Sequence, residues 1–152
     1  MSASLEQPDQ PDRPEQPDLV VAGPRDVVGF VRACGADGTF EVVLGLTLAE
    51  AVPGAHVVCA AAVRDPTARA ARGPVPAIDA DQIVDLASEM LVGAVVLADV
   101  EPGRGAPTRT DVRRFVALRH RCANRGVALL DRVVISSTGW WSLREEVLRD
   151  AA

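Results

Sequence analysis

The sequence predicts an α/β fold, a mixed β-sheet flanked by helices. From residue 79 onward, segments with helical spacing of apolar residues alternate with short continuous apolar runs, the pattern of strands joined by helices. Hydrophobic residues make up 48% of the chain but aromatics only 3%, so Val, Leu, Ala and Ile must fill the core. With 152 residues, the chain has the size of one domain with one core.

The stretch 5–18 repeats Gln-Pro-Asp three times. Its prolines remove backbone donors and its carboxylates repel one another, so it cannot bury enough apolar surface to offset the entropy of ordering. Residues 1–22 are therefore expected to form a disordered tail, and residues 23–150 the domain. Within the tail, Glu6, Asp9, Asp12, Glu15 and Asp18 against Arg13 carry −4 of the total charge of −5, which leaves the rest of the chain at −1. The acidity of the whole chain thus says little about the partners of its domain.

No apolar run approaches the roughly 20 residues of a membrane-spanning helix, and an acidic, Pro-rich amino terminus is not a signal peptide. Cys34, Cys59 and Cys122 are scattered, with no Cys-x-x-Cys spacing. That usage fits reduced thiols filling the core of a cytoplasmic protein better than a disulfide framework.

The Val-rich segment Asp26–Ala33 and the segment Thr39–Leu46 flank a Gly-Ala-Asp-Gly turn and are expected to pair as a hairpin. His56–Arg64, bounded by Pro-Gly and Asp-Pro, predicts a third strand, and residues 65–77 a loop. Asp79 opens a helix as its cap, with Gln82 three places later, and Ile83, Val84, Leu86, Ala87, Met90 and Leu91 repeat at helical spacing. Gly93 suits a left-handed stop. Ala94–Glu101 predicts a buried strand. Thr108 caps a second helix running to about Asn124, with Asp111 in its first turn, where the helix dipole favours an anion. Val127–Ile135 and Trp140–Leu143 follow as strands, and Arg144–Arg149 as a short final helix.

The run Leu129-Leu130-Asp131-Arg132-Val133-Val134-Ile135, a turn containing Gly139, and then Trp141-Ser142-Leu143-Arg144-Glu145 resembles the ending of RadC-type JAB/MPN domains. The helix from Asp79, the strand Ala94–Ala98, and Pro102, Gly103, Pro107, Thr108 and Asp111 fall in the order of that family's metal motif. Glu41-Val42-Val43-Leu44-Gly45 resembles the strand that carries the family's catalytic Glu. The match covers about half of the chain and implies a JAB/MPN-like fold. Residues 49–76 then read as an insertion, and the helix-hairpin-helix module that often precedes such domains has no counterpart.

The resemblance implies a site in which two His and an Asp hold one zinc, a remote Glu handles the proton of its water, and a Ser steadies the oxyanion of amide or isopeptide hydrolysis. Here the two zinc-binding histidines are missing. In one register Asp99 and Glu101 occupy their places, with Asp111 as the third ligand position, Glu41 as the catalytic Glu and Thr108 in place of the Ser. In a second, gapless register Ala98 and Val100 stand there. Asp99, Glu101 and Asp111 could form a carboxylate cluster suited to magnesium or manganese, whereas zinc is not expected. The plainer reading puts these carboxylates at a solvated strand end, Glu41 on the surface, and Thr108 and Asp111 in helix capping alone.

Residues 104–132 carry eight Arg against two Asp. Arg114, Arg121 and Arg125 share a helix face that could meet phosphates; the plainer reading is a solvated face opposite Val112, Phe115, Val116 and Cys122. Of Trp140 and Trp141, alternation turns one inward, and the outward one could mark a partner site. His120 is expected to be exposed. The sequence therefore leads to a degenerate, non-catalytic RadC relative from a bacterial cytoplasm, acting as a binding or scaffold module for a protein partner and needing no cofactor. The alternatives are a JAMM-like metallohydrolase with a carboxylate-bound cation and a nucleic-acid-associated protein using the Arg-rich helix.

Overall fold

The computed structural model describes residues 20–33, 38–48, 54–64 and 78–151. The expected tail up to residue 19, Cys34 and the expected loop 65–77 lie outside them. Val20 and Val21, assigned above to the tail, instead form a short strand, β1, with Val21 buried. The chain continues through α1 (Pro24–Ala33), β2 (Phe40–Leu48), β3 (His56–Arg64), α2 (Ala80–Met90), β4 (Ala94–Val100), α3 (Arg109–Asn124), β5 (Ala128–Ile135), β6 (Trp140–Ser142) and α4 (Leu143–Asp150). The result is a mixed α/β fold with a six-stranded sheet in the order β1-β3-β2-β4-β5-β6. Among the described strands only β4 and β5 are parallel, and α3 supplies the crossover that parallel neighbours require.

One expectation fails outright. The segment 26–33 is the helix α1, not a hairpin strand, and β2 pairs with β3 and β4. The Val content suggested a strand, but Val27, Val28 and Val31 form one helical stripe and all three are buried. Pro24 begins the helix, where its missing N–H costs nothing, and the Asp26 carboxylate accepts from the backbone N–H of Ala22 at 2.9 Å. Burial of that stripe outweighs the modest helix penalty of β-branched residues.

The sheet has a core on each side. On one, α1 covers Phe40, Val42, Leu44, Leu46, Val96, Ala98, Val133 and Ile135. On the other, α2, α3 and α4 cover Val43, Val95, Leu97 and Leu129 through Ile83, Ala87, Phe115, Leu118, Cys122 and Leu143. The stretch 49–76, read as an insertion, contains β3, which is bonded to both β1 and β2 and is integral to the sheet. Cys59 is the extra residue of a bulge in β3 opposite Gly45 and Leu46; it is exposed, not a core filler. Among the described residues, β1 covers the outer edge of β3 only at His56 and Val57.

Helix α2 starts as expected, with a capping box between Asp79 and Gln82. Its left-handed stop falls on Leu91 (φ 57°, ψ 41°), two residues before Gly93. Leu91 is 90% exposed, so its side chain has no packing to lose. The close packing of this end of α2 depends on a different glycine: a Cβ on Gly45 would meet Met90 Sδ at 3.1 Å and Val92 Cγ2 at 3.2 Å.

Candidate functional site

Strands β2 and β4 and the segment leading into α3 bring the singled-out residues to one end of the sheet. In β2 and β4, Glu41 is paired directly with Asp99 in antiparallel register, and both lie on the side covered by α2, α3 and α4, in phase with Val43 and Leu97. Ala98 and Val100 point the other way, toward α1. Of the two registers, therefore, only that of Asp99 puts its residue on the same face as Glu41.

Each carboxylate meets a guanidinium. Arg64, at the end of β3 and paired with Glu41 across the ladder, donates from Nη1 to Glu41 Oε2 at 3.0 Å. Arg132 of β5 donates from Nε to Asp99 Oδ2 at 2.5 Å. The pair is largely shielded from water, with side chains 16% and 6% exposed. Across the sheet the order reads Arg64, Glu41, Asp99, Arg132, with the cations outside and the two carboxylates inside.

A bulge in β5 makes this possible. Val95 pairs with Leu129 but Val96 with Asp131, so Leu130 is an extra residue. Without it, Arg132 would point to the α1 side. With it, Arg132 stands beside Leu97 on the face of Asp99, while Asp131 turns to the face of Val96.

The second half of the site is the loop into α3. The backbone N–H of Glu101 continues the ladder by donating to Ile135 O at 2.9 Å. Arg104 reaches back to Glu101 Oε2 at 3.2 Å and forward to Asp111 Oδ1 at 2.8 Å. Thr108 caps α3: its Oγ1 accepts from Asp111 N–H at 3.2 Å, and Asp111 Oδ2 accepts from Thr108 N–H at 2.7 Å and from its hydroxyl at 3.0 Å. The hydroxyl of Thr108 is thus committed to Asp111.

These surroundings shift the carboxyls in opposite directions. Burial, and then the charge of Asp99, push the Glu41 carboxyl up against the pull of Arg64 and Arg132; Glu101 adds to the upward push. At Asp111 burial also pushes upward, but the Thr108 N–H, the Arg104 guanidinium and the Thr108 hydroxyl together hold the carboxyl below its usual range.

Asp99 is 4% exposed, so it is not at a solvated strand end. Glu41 is half-buried rather than a surface residue. Asp99 is turned to Arg132, whereas Glu101 and Asp111 share Arg104. Among the described residues, no group of three or more His, Cys, Asp or Glu is arranged to hold a metal ion. The donor set does not fit the zinc implied by the RadC resemblance, because it contains carboxylates in ion pairs and no histidine or cysteine.

Arg64, Arg104 and Asp131 were not singled out from the sequence. Arg104 lies three residues after Glu101 and seven before Asp111, a spacing that could have suggested it. Arg64 required the register of β3. Asp131 is buried and joins β5 to α4: its Oδ2 accepts from Ser142 Oγ at 2.6 Å, and its Oδ1 from the N–H groups of Arg132 (2.7 Å) and Arg144 (3.0 Å). Ser142 Oγ in turn accepts from Glu145 N–H as the cap of α4. Leu-Leu-Asp and Ser-Leu-Arg-Glu are two halves of one structural latch.

On α3, Arg114, Arg121 and Arg125 are exposed, and Arg125 pairs with Asp81 of α2. His120 is exposed as expected. Phe115 and Cys122 face the core, but Val116, expected beside them, is 45% exposed. Trp140 packs against the α1-side core, and both tryptophans are half-buried. No described helix is long and apolar enough to cross a membrane. The chain matches no protein-family model and no curated protein.

Proposed function

We propose that the chain is a degenerate RadC-like JAB domain that works as a non-catalytic binding or scaffold module. The observation that carries this reading is the pairing of every carboxylate of the candidate site with arginine: Glu41 with Arg64, Asp99 with Arg132, and Glu101 and Asp111 with Arg104. Guanidiniums supply the positive charge that a metal would otherwise bring. They remain charged at any physiological pH and cannot activate water as a Lewis acid. The RadC reading draws support from the shared face of Glu41 and Asp99 and from the latch that links its two carboxy-terminal motifs.

A partner has a place to add. The outer edge of β3 beyond Val57 has no strand beside it among the described residues, and Val63, at its far end, is 62% exposed. Open edges with small apolar side chains accept an added strand readily.

A hydrolysis assay on an isopeptide-linked substrate with zinc, manganese or magnesium tests the reading. We expect no turnover under any of the three. Turnover that requires a metal and disappears in Asp99→Asn would establish instead a hydrolase with a carboxylate-bound cation.

A further inference from the structure

At the end of the sheet opposite Glu41 and Asp99, on the α1 side, a cavity of about 240 Å³ lies between the last residues of β2 at Leu46 and the first residues of β4 and β5 at Val96 and Leu130. Val21, Val27, Leu46, Val96 and Leu130 form the apolar part of its lining. Its polar lining comes from different elements: Arg119 of α3, Arg144 at the start of α4, His56 of β3 and Asp131. Arg119 and Arg144 are exposed, so they stand at the mouth. Among the described residues the arginine ion pairs use Arg64, Arg104, Arg125, Arg132 and Arg149, and neither of these two. Asp131 is the one acid of the lining. Its oxygens are taken up by Ser142 and two backbone N–H groups, although its charge also acts on Arg144. Two guanidiniums against one engaged carboxylate leave an excess of positive charge beside the aliphatic side chains of the lining.

We infer that this cavity binds a small organic anion, a carboxylate or phosphate monoester with a short aliphatic body. A volume of about 240 Å³ admits a metabolite-sized body. The head group meets Arg119 and Arg144 at the mouth, where planar forked donors suit a carboxylate or phosphate. The body lies against Leu46, Val96 and Leu130. This site is independent of the arginine-filled carboxylate cluster and of the RadC reading.

Calorimetry on the full chain, with n-butyl phosphate, pentanoate and inorganic phosphate as probes, tests the inference. We expect saturable binding of butyl phosphate or pentanoate, the tighter of the two identifying the head group. The tighter probe should bind at least about fivefold better than inorganic phosphate, because burying a few methylenes is favourable. Arg119→Gln and Arg144→Gln should each weaken it about tenfold, the usual scale for a lost charge-assisted hydrogen bond. Arg114→Gln, on α3 but outside the cavity, should leave it unchanged. Both cavity arginines are exposed, so the variants should fold, which their melting temperatures without probe will verify. Absence of saturable binding at millimolar probe, equal affinity for inorganic phosphate, or affinity unaffected by both cavity substitutions would overturn the inference.

Discussion

Glu41 and Asp99 stand directly opposite each other in the β2–β4 ladder, two carboxylates on one sheet face, with Arg64 and Arg132 closing the row on either side. Like charges in that relationship repel, so the arrangement depends on the outer guanidiniums. Arg132→Ala leaves Asp99 shielded from water and uncompensated beside Glu41. It should cost about 3 kcal/mol, the usual scale for removing one partner of a buried pair. Arg64→Ala, at a more solvated pair, should cost about 1 kcal/mol. Urea unfolding of the two variants checks both; equal, small losses would contradict the ranking.

The two shifted carboxyls should give opposite pH signatures. Glu41 has a raised folded-state pKa, so the folded chain holds its proton more tightly than the unfolded chain does. Its contribution favours folding below the ordinary glutamate range and is lost as pH rises through the raised value. Glu41→Gln should therefore be more stable than wild type near neutral pH, with the advantage shrinking toward pH 4. Asp111, with a lowered pKa, stabilises above the ordinary aspartate range and loses that contribution as pH falls. Asp111→Asn should cost about 1 kcal/mol at neutral pH, on the scale of a helix cap, and less in acid. Unfolding curves across pH 3–8 measure both slopes.

The latch at Asp131 gives a third expectation. Ser142→Ala removes a short hydrogen bond to a buried carboxylate and the cap of α4 together. The loss should be about 2 kcal/mol, and Ser142→Thr should recover part of it. Hydrogen exchange should show faster opening of α4 in the Ala variant.

Much of the fold was legible because its signals are local. Asp79 with Gln82 and Thr108 with Asp111 declare their helices within four residues, and the bounds of β3 follow from flanking Pro, Gly and Asp. Helix α1 was not legible in the same way. Its three valines satisfy a strand preference locally, and only the core beneath them makes the helical stripe decisive. The candidate site was half legible. The motif positions of Glu41, Asp99, Glu101, Thr108 and Asp111 do gather at one end of the sheet. Their arginine partners depend on long-range register, above all on the extra residue Leu130, which turns Arg132 toward Asp99. No local pattern announces a bulge of that kind.

The Arg-rich face of α3 is separable from the rest. Arg114→Glu with Arg121→Glu changes two exposed side chains that make no ion pair among the described residues, so stability should stay within about 0.5 kcal/mol. If α3 meets nucleic acid, the wild type will be retained on DNA at low salt and the double variant will not. No retention of the wild type removes that alternative.

We propose that arginines, rather than a metal ion, neutralise Glu41, Asp99, Glu101 and Asp111. Elemental analysis of the untagged protein, with melting curves in zinc, manganese and magnesium, tests it most directly. We expect no stoichiometric metal and melting temperatures unchanged by any of the three ions. One metal per chain, or a metal-dependent rise in melting temperature that Asp99→Asn abolishes, would contradict it.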